Sequence, residues 1–309
     1  MRFCRTIGAL RRHAAPNGRS VTIGAFDGLH LGHQEILARL LESARERSCP
    51  ALVFSFEPMP GEVLSPRNPP PRLTCFRERF ELLARHGVDE FFCPSFRQIR
   101  RLSPEVFVDS LLVAALDARH VIVGHDFRFG FGRGGGLDEL RAAGRRHGFG
   151  VTVVEPVSWQ GQRVSSTLIR AALAAGDLAA AKGMLGRDYS MSGRVIRGLG
   201  LGRQLGFPTA NVSLKRRRAP IDGIFAVRVE GLDDRLLDGV ASVGTRPTIG
   251  GGQALLEVLI FDFDRDVYGE HITVHFVKRL REERHFADLD ALKAQIERDV
   301  VEARAALRA

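Results

Sequence analysis

Gly24-Ala25-Phe26-Asp27-Gly28-Leu29-His30-Leu31-Gly32-His33 decides the fold of the first half. A β-rich run, VTIGAF, enters it, and HQEILARLLESARER leaves it with Ile36, Leu37, Leu40, Leu41 and Ala44 on one helical face. A strand that turns through glycine into a helix opens a βα unit. Gly24 and Gly28 let the backbone close on a ligand. The N–H groups and dipole of a helix beginning near His33 attract phosphate. His30 and His33 are spaced to face the same phosphates and to donate to charge that develops in transfer.

Outward from this segment the rhythm continues. ALVFSF, VIVG and VTVVEP read as buried strands, and PEVFVDSLLVAAL, opening with Pro104, reads as a helix. Alternation of this kind predicts a parallel sheet covered by helices, with its ligand at the carboxyl ends of the strands. Further on, Ser165-Ser166-Thr167-Leu168-Ile169-Arg170 places hydroxyls and a guanidinium at a helix start. They form either a helix cap or an anion clamp. The run Gly130–Gly135 satisfies GxGxxG, but no acidic residue follows at the position a dinucleotide ribose needs, so it is read as a loop over a ligand.

From about Ser190 the character changes. SGRVI, GIFAVRVE, GVASVG, ALLEVLIFDF and ITVHFV are separated by Gly- and Asp-containing turns, which predicts a small antiparallel barrel or sandwich. FADLDALKAQIERDV predicts a closing amphipathic helix with Phe286, Leu289, Leu292 and Ile296 inward. The boundary is expected near Gly186–Asp188, giving domains 1–186 and 187–309. Within the second, Gly198-Leu-Gly-Leu-Gly202-Arg203 precedes Pro208-Thr209-Ala210-Asn211. So glycine-rich a loop either wraps phosphate or makes a barrel turn. Thr209 and Asn211, two apart on an extended segment, share a face, and their hard oxygens suit Mg²⁺. Glu257 is an isolated acid in an apolar strand: it either has a role or faces outward. Arg246 supports a phosphate or braces its turn. No GxxxxGK[ST] sequence occurs, which excludes a P-loop kinase.

Length and composition agree with two globular domains: 309 residues with ordinary apolar content. No window reaches about 18 consecutive apolar residues, so no membrane partner is expected. Cys4, Cys49, Cys75 and Cys93 are scattered without a CxxC pair, which argues against a disulfide framework or structural zinc and places the chain in the cytoplasm. The net charge of +9 suits an anionic partner. Lys and Arg are dispersed apart from Lys215–Arg218 and Arg279–Arg284, so nucleotide phosphate is favoured over nucleic acid.

Together the GLHLGH and SSTLIR segments resemble the HxGH and ISSTxIR motifs of the nucleotidyltransferase superfamily. With FEPMPGEVL, GHDFRFGFGRGG and the whole second half, the chain resembles the bacterial bifunctional riboflavin kinase/FAD synthetase family. The resemblance implies a Rossmann-like α/β nucleotidyltransferase domain followed by a mainly antiparallel β-barrel kinase domain with a C-terminal helix. It implies that ATP, riboflavin and FMN are the substrates and Mg²⁺ the cofactor; it sets no oligomeric state. His30, His33 and Arg170 would be catalytic in the first domain. Gly24, Phe26, Asp27, Gly28, Asp126, Ser165, Ser166 and Thr167 would hold ATP there, and Gly198, Gly202 and Arg203 in the second. Thr209 and Asn211 would hold the metal, and Glu257 would be the general base. The family commonly reads PHP where this chain has Pro58-Met59-Pro60, and a polar residue where it has Leu259.

Overall fold

The computed structural model describes all residues except 14, 199–201, 203–205, 247–252 and 309. Packing divides the chain into two compact units, Met1–Pro70 with Arg79–Val164, and Pro71–Glu78 with Ser165–Ala309. The helices Ser166–Ala174 and Leu178–Leu185 therefore cluster with the second unit, whereas the sequence reading put them in the first domain.

The first unit is built on a six-stranded parallel sheet: β1 (Arg2–Cys4), β2 (Arg19–Ile23), β3 (Ala51–Phe54), β4 (Glu90–Phe92), β5 (Ala118–Gly124) and β6 (Gly150–Val154). Its order is β1-β4-β3-β2-β5-β6. Every residue of β2 and β3 is buried, as helices on both faces require. Successive connections run outward on one side of β2 and resume at β5 on its other side. The order thus reverses between β2 and β5, and that is where an open α/β sheet leaves a crevice at its carboxyl ends. The Gly24–His33 loop leaves β2 at this point. A two-stranded hairpin, β7 (Ser158–Trp159) and β8 (Gln162–Arg163), follows β6.

The expected helix after Ser103 is only partly regular. Pro104–Val106 is helical, with Ser103 Oγ capping Val106 N–H, and Phe107–Val113 then widens into a π-helical turn. The wider turn carries Phe107, Val108, Leu111 and Leu112 into the core.

The second unit is a closed antiparallel barrel of β9 (Ser190–Ile196), β10 (Ala210–Ser213), β11 (Gly223–Glu230), β12 (Leu237–Arg246), β13 (Gln253–Ile260) and β14 (His271–Arg281). Its order is β10-β13-β12-β11-β14-β9, and β9 pairs with β10 to shut it. A long helix, Leu289–Arg308, packs on it through Ala303 and Leu307 against Ile224, Ala226 and Val240.

Of the expected inward residues Phe286, Leu292 and Ile296 are half-buried and face the barrel, but the fully buried positions of that helix are others. Gln295, Asp299, Ala303 and Leu307 are buried, while Leu289 is 56% exposed. Two polar residues point inward because each has a charged partner. Asp299 takes a bidentate pair from Arg281, with Nε–Oδ1 at 2.9 Å and Nη2–Oδ2 at 2.7 Å, and Gln295 Oε1 accepts from Arg284 and Arg298.

Candidate active sites

In the first unit the loop after β2 is held by more contacts than its sequence advertises. Phe26 and Leu29 have φ of 51° and 43°, left-handed values that cost non-glycine residues, and Gly28 has 84°. Phe26 and Leu29 are nonetheless fully buried, and their packing offsets that cost. The Ala25 carbonyl accepts from Arg79 Nη1 at 2.9 Å and from Ser55 Oγ at 3.2 Å. Arg79 is completely buried; its Nη2 also reaches the Phe56 carbonyl at 3.2 Å and Glu57 Oε2 at 3.1 Å. Sequence reading missed this anchor, since one arginine within RERFELL looks like any helix-surface charge.

The helix after the loop begins at Leu31, two residues earlier than expected, because His30 itself is the cap: its Nδ1 accepts from His33 N–H at 3.3 Å. An accepting Nδ1 carries no proton, so a neutral His30 presents its N–H at Nε2. The two imidazoles stack, centroids 3.6 Å apart and planes 16° from parallel. Burial first, and the neighbouring His30 second, hold the His33 ring well below its usual range. With the His33 ring thereby kept neutral, the two parallel rings at this helix N-terminus do not repel each other. Asp27 of the same loop is also buried. A Cβ on Gly24 would lie 3.1 Å from the Phe26 ring, tight enough that the ring would have to shift.

Asp126, past the end of β5, is exposed and binds Arg163 Nη2 at 2.6 Å, and this guanidinium lowers its carboxyl against the opposing effect of partial burial. In the second unit Ser165 caps the Ser166–Ala174 helix, accepting from Leu168 N–H at 3.2 Å. Its hydroxyl is thus engaged in capping. Thr167 is exposed, and Ser166 and Arg170 are half-buried. Arg170 Nε donates to the Pro71 carbonyl at 2.6 Å. Met59 is buried at the start of the short helix Pro60–Leu64 and its N–H donates to Glu62 at 3.0 Å.

The barrel carries a cavity of about 750 Å³. Thr209, Asn211, Ser242 and Glu257 line one part, and Ile224, Val240, Leu259, Phe286, Leu292 and Ile296 give an apolar wall. Register explains the polar cluster. Glu257 of β13 lies directly opposite Asn211 of β10 on one side and Ser242 of β12 on the other. Along β13, Leu256 and Val258 are buried while Glu257 and Leu259 face the cavity, so the acid sits on the alternate face of an apolar strand. A Cβ on Gly198 would lie 2.4 Å from the Asn211 amide, and one on Gly202 3.1 Å from Thr209 Oγ1. Both glycines are needed for the loop to approach these side chains.

Hydroxyl and amide oxygens with a carboxylate opposite are a donor set that fits Mg²⁺ arriving with nucleotide phosphates. Among the described residues no three His, Cys, Asp or Glu side chains are grouped to hold a metal by themselves. Arg203 and the side chain of Arg246 lie outside the described residues. All four cysteines are free, and among the described residues no helix is long and apolar enough to cross a membrane.

Comparison with known proteins matches the two halves separately. A family model described as FAD synthetase covers residues 12–168, and one described as riboflavin kinase covers 185–307. The chain is 46% identical over 292 residues to the bifunctional riboflavin kinase/FMN adenylyltransferase of Escherichia coli K12, covering 94% of this chain and 93% of that one. It is 48% identical over 290 residues to the protein of the same description from Pseudomonas fluorescens, covering 93% of each. A crystal structure from Streptococcus pneumoniae, described as a macrolide-efflux protein, superposes with a TM-score of 0.82 at 31% identity over 98% of both chains. The chain belongs to the family of bifunctional riboflavin kinase/FMN adenylyltransferases.

Proposed function

We propose that the protein makes FAD in two ATP-dependent steps: riboflavin and ATP give FMN and ADP, then FMN and ATP give FAD and pyrophosphate. We assign phosphorylation to residues 187–309 and adenylylation to residues 1–186. The domains run opposite to the order of the reactions, so FMN made by the second has to reach the first. The work is cytoplasmic.

In the kinase step Glu257 takes the proton of the ribityl 5′-hydroxyl as that oxygen attacks the γ-phosphorus of ATP. Thr209 and Asn211 would hold the Mg²⁺ that comes with ATP, and that ion supplies neutralisation of phosphate charge. Gly198, Gly202 and Arg203 approach the phosphates, and the apolar wall takes the flavin ring. The observation that carries this reading is the cross-strand alignment of Asn211 and Glu257 in one cavity.

In the adenylyl step the FMN phosphate attacks the α-phosphorus of ATP and pyrophosphate departs. No protein nucleophile is required, so positioning and charge neutralisation carry the rate. His30 and His33 donate to the phosphates. Ser165, Ser166, Thr167 and Arg170 hold the triphosphate, and Gly24, Phe26, Asp27, Gly28 and Asp126 lie along the nucleotide.

Purified protein given riboflavin, ATP and Mg²⁺ should yield FMN and then FAD, resolved by chromatography. FMN that accumulates with no FAD would remove the second activity, and chelation of the metal should abolish both.

A further inference from the structure

Within the second unit, Pro71–Glu78 is a short strap sewn to the barrel by buried polar groups. Glu78 and Arg216 are 8% and 6% exposed, and Arg216 Nη2 donates to Glu78 Oε1 at 2.6 Å and Oε2 at 2.5 Å. Glu78 Oε1 also accepts from Ser192 N–H at 2.6 Å, and its Oε2 from Cys75 N–H at 2.7 Å. Arg216 Nη1 turns the other way. It donates to the carbonyls of Arg72 at 3.3 Å and Leu73 at 3.4 Å, and to Tyr189 Oη at 2.9 Å. Tyr189 Oη in turn donates to the Leu73 carbonyl at 3.2 Å. One residue before Arg72, the Pro71 carbonyl receives Arg170 Nε at 2.6 Å.

This chain of bonds runs from β9 and the segment before β11 to Arg170. Pro69, Pro70 and Pro71 stiffen the strap on its other side, since each proline fixes its own φ. A guanidinium is planar, so a bond at Nε sets the direction of its two terminal amino groups.

We infer that Glu78 and Arg216 are positioning residues for adenylyl transfer: they fix the strap so that the Pro71 carbonyl aims the Arg170 fork at the triphosphate. The inference rests on the assignment of Arg170 to phosphate binding above. A merely structural ion pair would support the barrel and leave nucleotide affinity in the adenylyl step untouched.

The test is a double-mutant cycle of Glu78→Gln and Arg170→Ala in the full chain. KM for ATP and kcat are measured for FMN adenylylation, and riboflavin phosphorylation in the same sample reports that the barrel is intact. Glu78→Gln should raise the ATP KM of adenylylation about tenfold with kcat and phosphorylation within about twofold of the parent. In the Arg170→Ala background the same change should add less than about twofold, because the group through which it acts is gone. If the two effects instead multiply in full, Glu78 acts elsewhere and the inference is overturned, while the role of Arg170 stands. If Arg170→Ala alone changes nothing, the role of Arg170 falls and this inference with it. Should Glu78→Gln lose both activities, Tyr189→Phe decides, for it removes one donor to the Leu73 carbonyl without stranding a charge. It should raise the ATP KM about two- to threefold, and an unchanged KM overturns the inference.

Discussion

The two candidate sites, the Gly24–His33 loop and the barrel cavity, reach their geometry by opposite means. The Gly24–His33 loop places its histidines through irregular backbone, with two non-glycine residues at positive φ held by buried aromatic packing and by Arg79. The barrel places Asn211 and Glu257 through strand register alone, with no unusual backbone at either residue. A loop of the first kind depends on distant anchors, whereas a registered pair depends only on its ladder. Strain can therefore collect in the first site and has no reason to collect in the second.

Substitutions should separate the two. Glu257→Gln removes the proposed base and leaves the ladder intact, so phosphorylation should fall about a thousandfold while adenylylation of supplied FMN changes little. A joint loss measured on the two reactions would break the assignment of one chemistry to each domain. Arg79→Met breaks the ion pair with Glu57 and leaves the Ala25 and Phe56 carbonyls without this donor, which should destabilise the first unit by about 3–5 kcal/mol. In a urea series, adenylylation should then fail at lower concentration than in the parent, with phosphorylation failing where it did before. His30→Ala removes a donor and a cap together. Adenylylation should drop about a hundredfold in kcat, with phosphorylation as the internal control.

The smallest effect sharpens the comparison through pH. The unfolded chain binds a proton at His33 near 6.5, and the folded chain refuses it until a lower pH because burial and His30 hold the ring down. Stability from this group therefore rises with pH across that window and is lost as pH falls below about 6.5, at up to about 1.4 kcal/mol per pH unit. Denaturation of His33→Gln between pH 5 and 7 should show a shallower slope than the parent. Equal slopes would mean that His33 titrates normally.

Much of this was legible in the sequence, and the failures have physical causes. β2, β3 and β5 announced themselves as buried apolar runs, and the barrel strands by alternation between turns; β6 read the same way, but it lies at the sheet edge and only its Val154 is buried. β1 and β4 did not, because three residues are too few to show a period. β10 was hidden because its four residues follow a proline and a run of glycines. The site residues stood out where chemistry repeats at fixed spacing, as in His30 and His33 or Thr209 and Asn211. The supporting residues did not. Arg79 and Arg216 lie among other arginines, and nothing in RRR tells which guanidinium turns inward to meet a carboxylate far away in sequence. Gln295 and Asp299 were not expected on the inward face of the last helix for the same reason: a buried polar residue is recognisable only once its partner is known.

The pairing of β9 with β10 carries one more consequence. β10 is the slat that shuts the barrel, and Asn211 on it meets Ile196 of β9 on one flank and Glu257 of β13 on the other. Asn211 thus ties the strand at the seam to the strand that carries Glu257, so a change that loosens the β9–β10 pairing should be felt at the Asn211–Glu257 alignment as well.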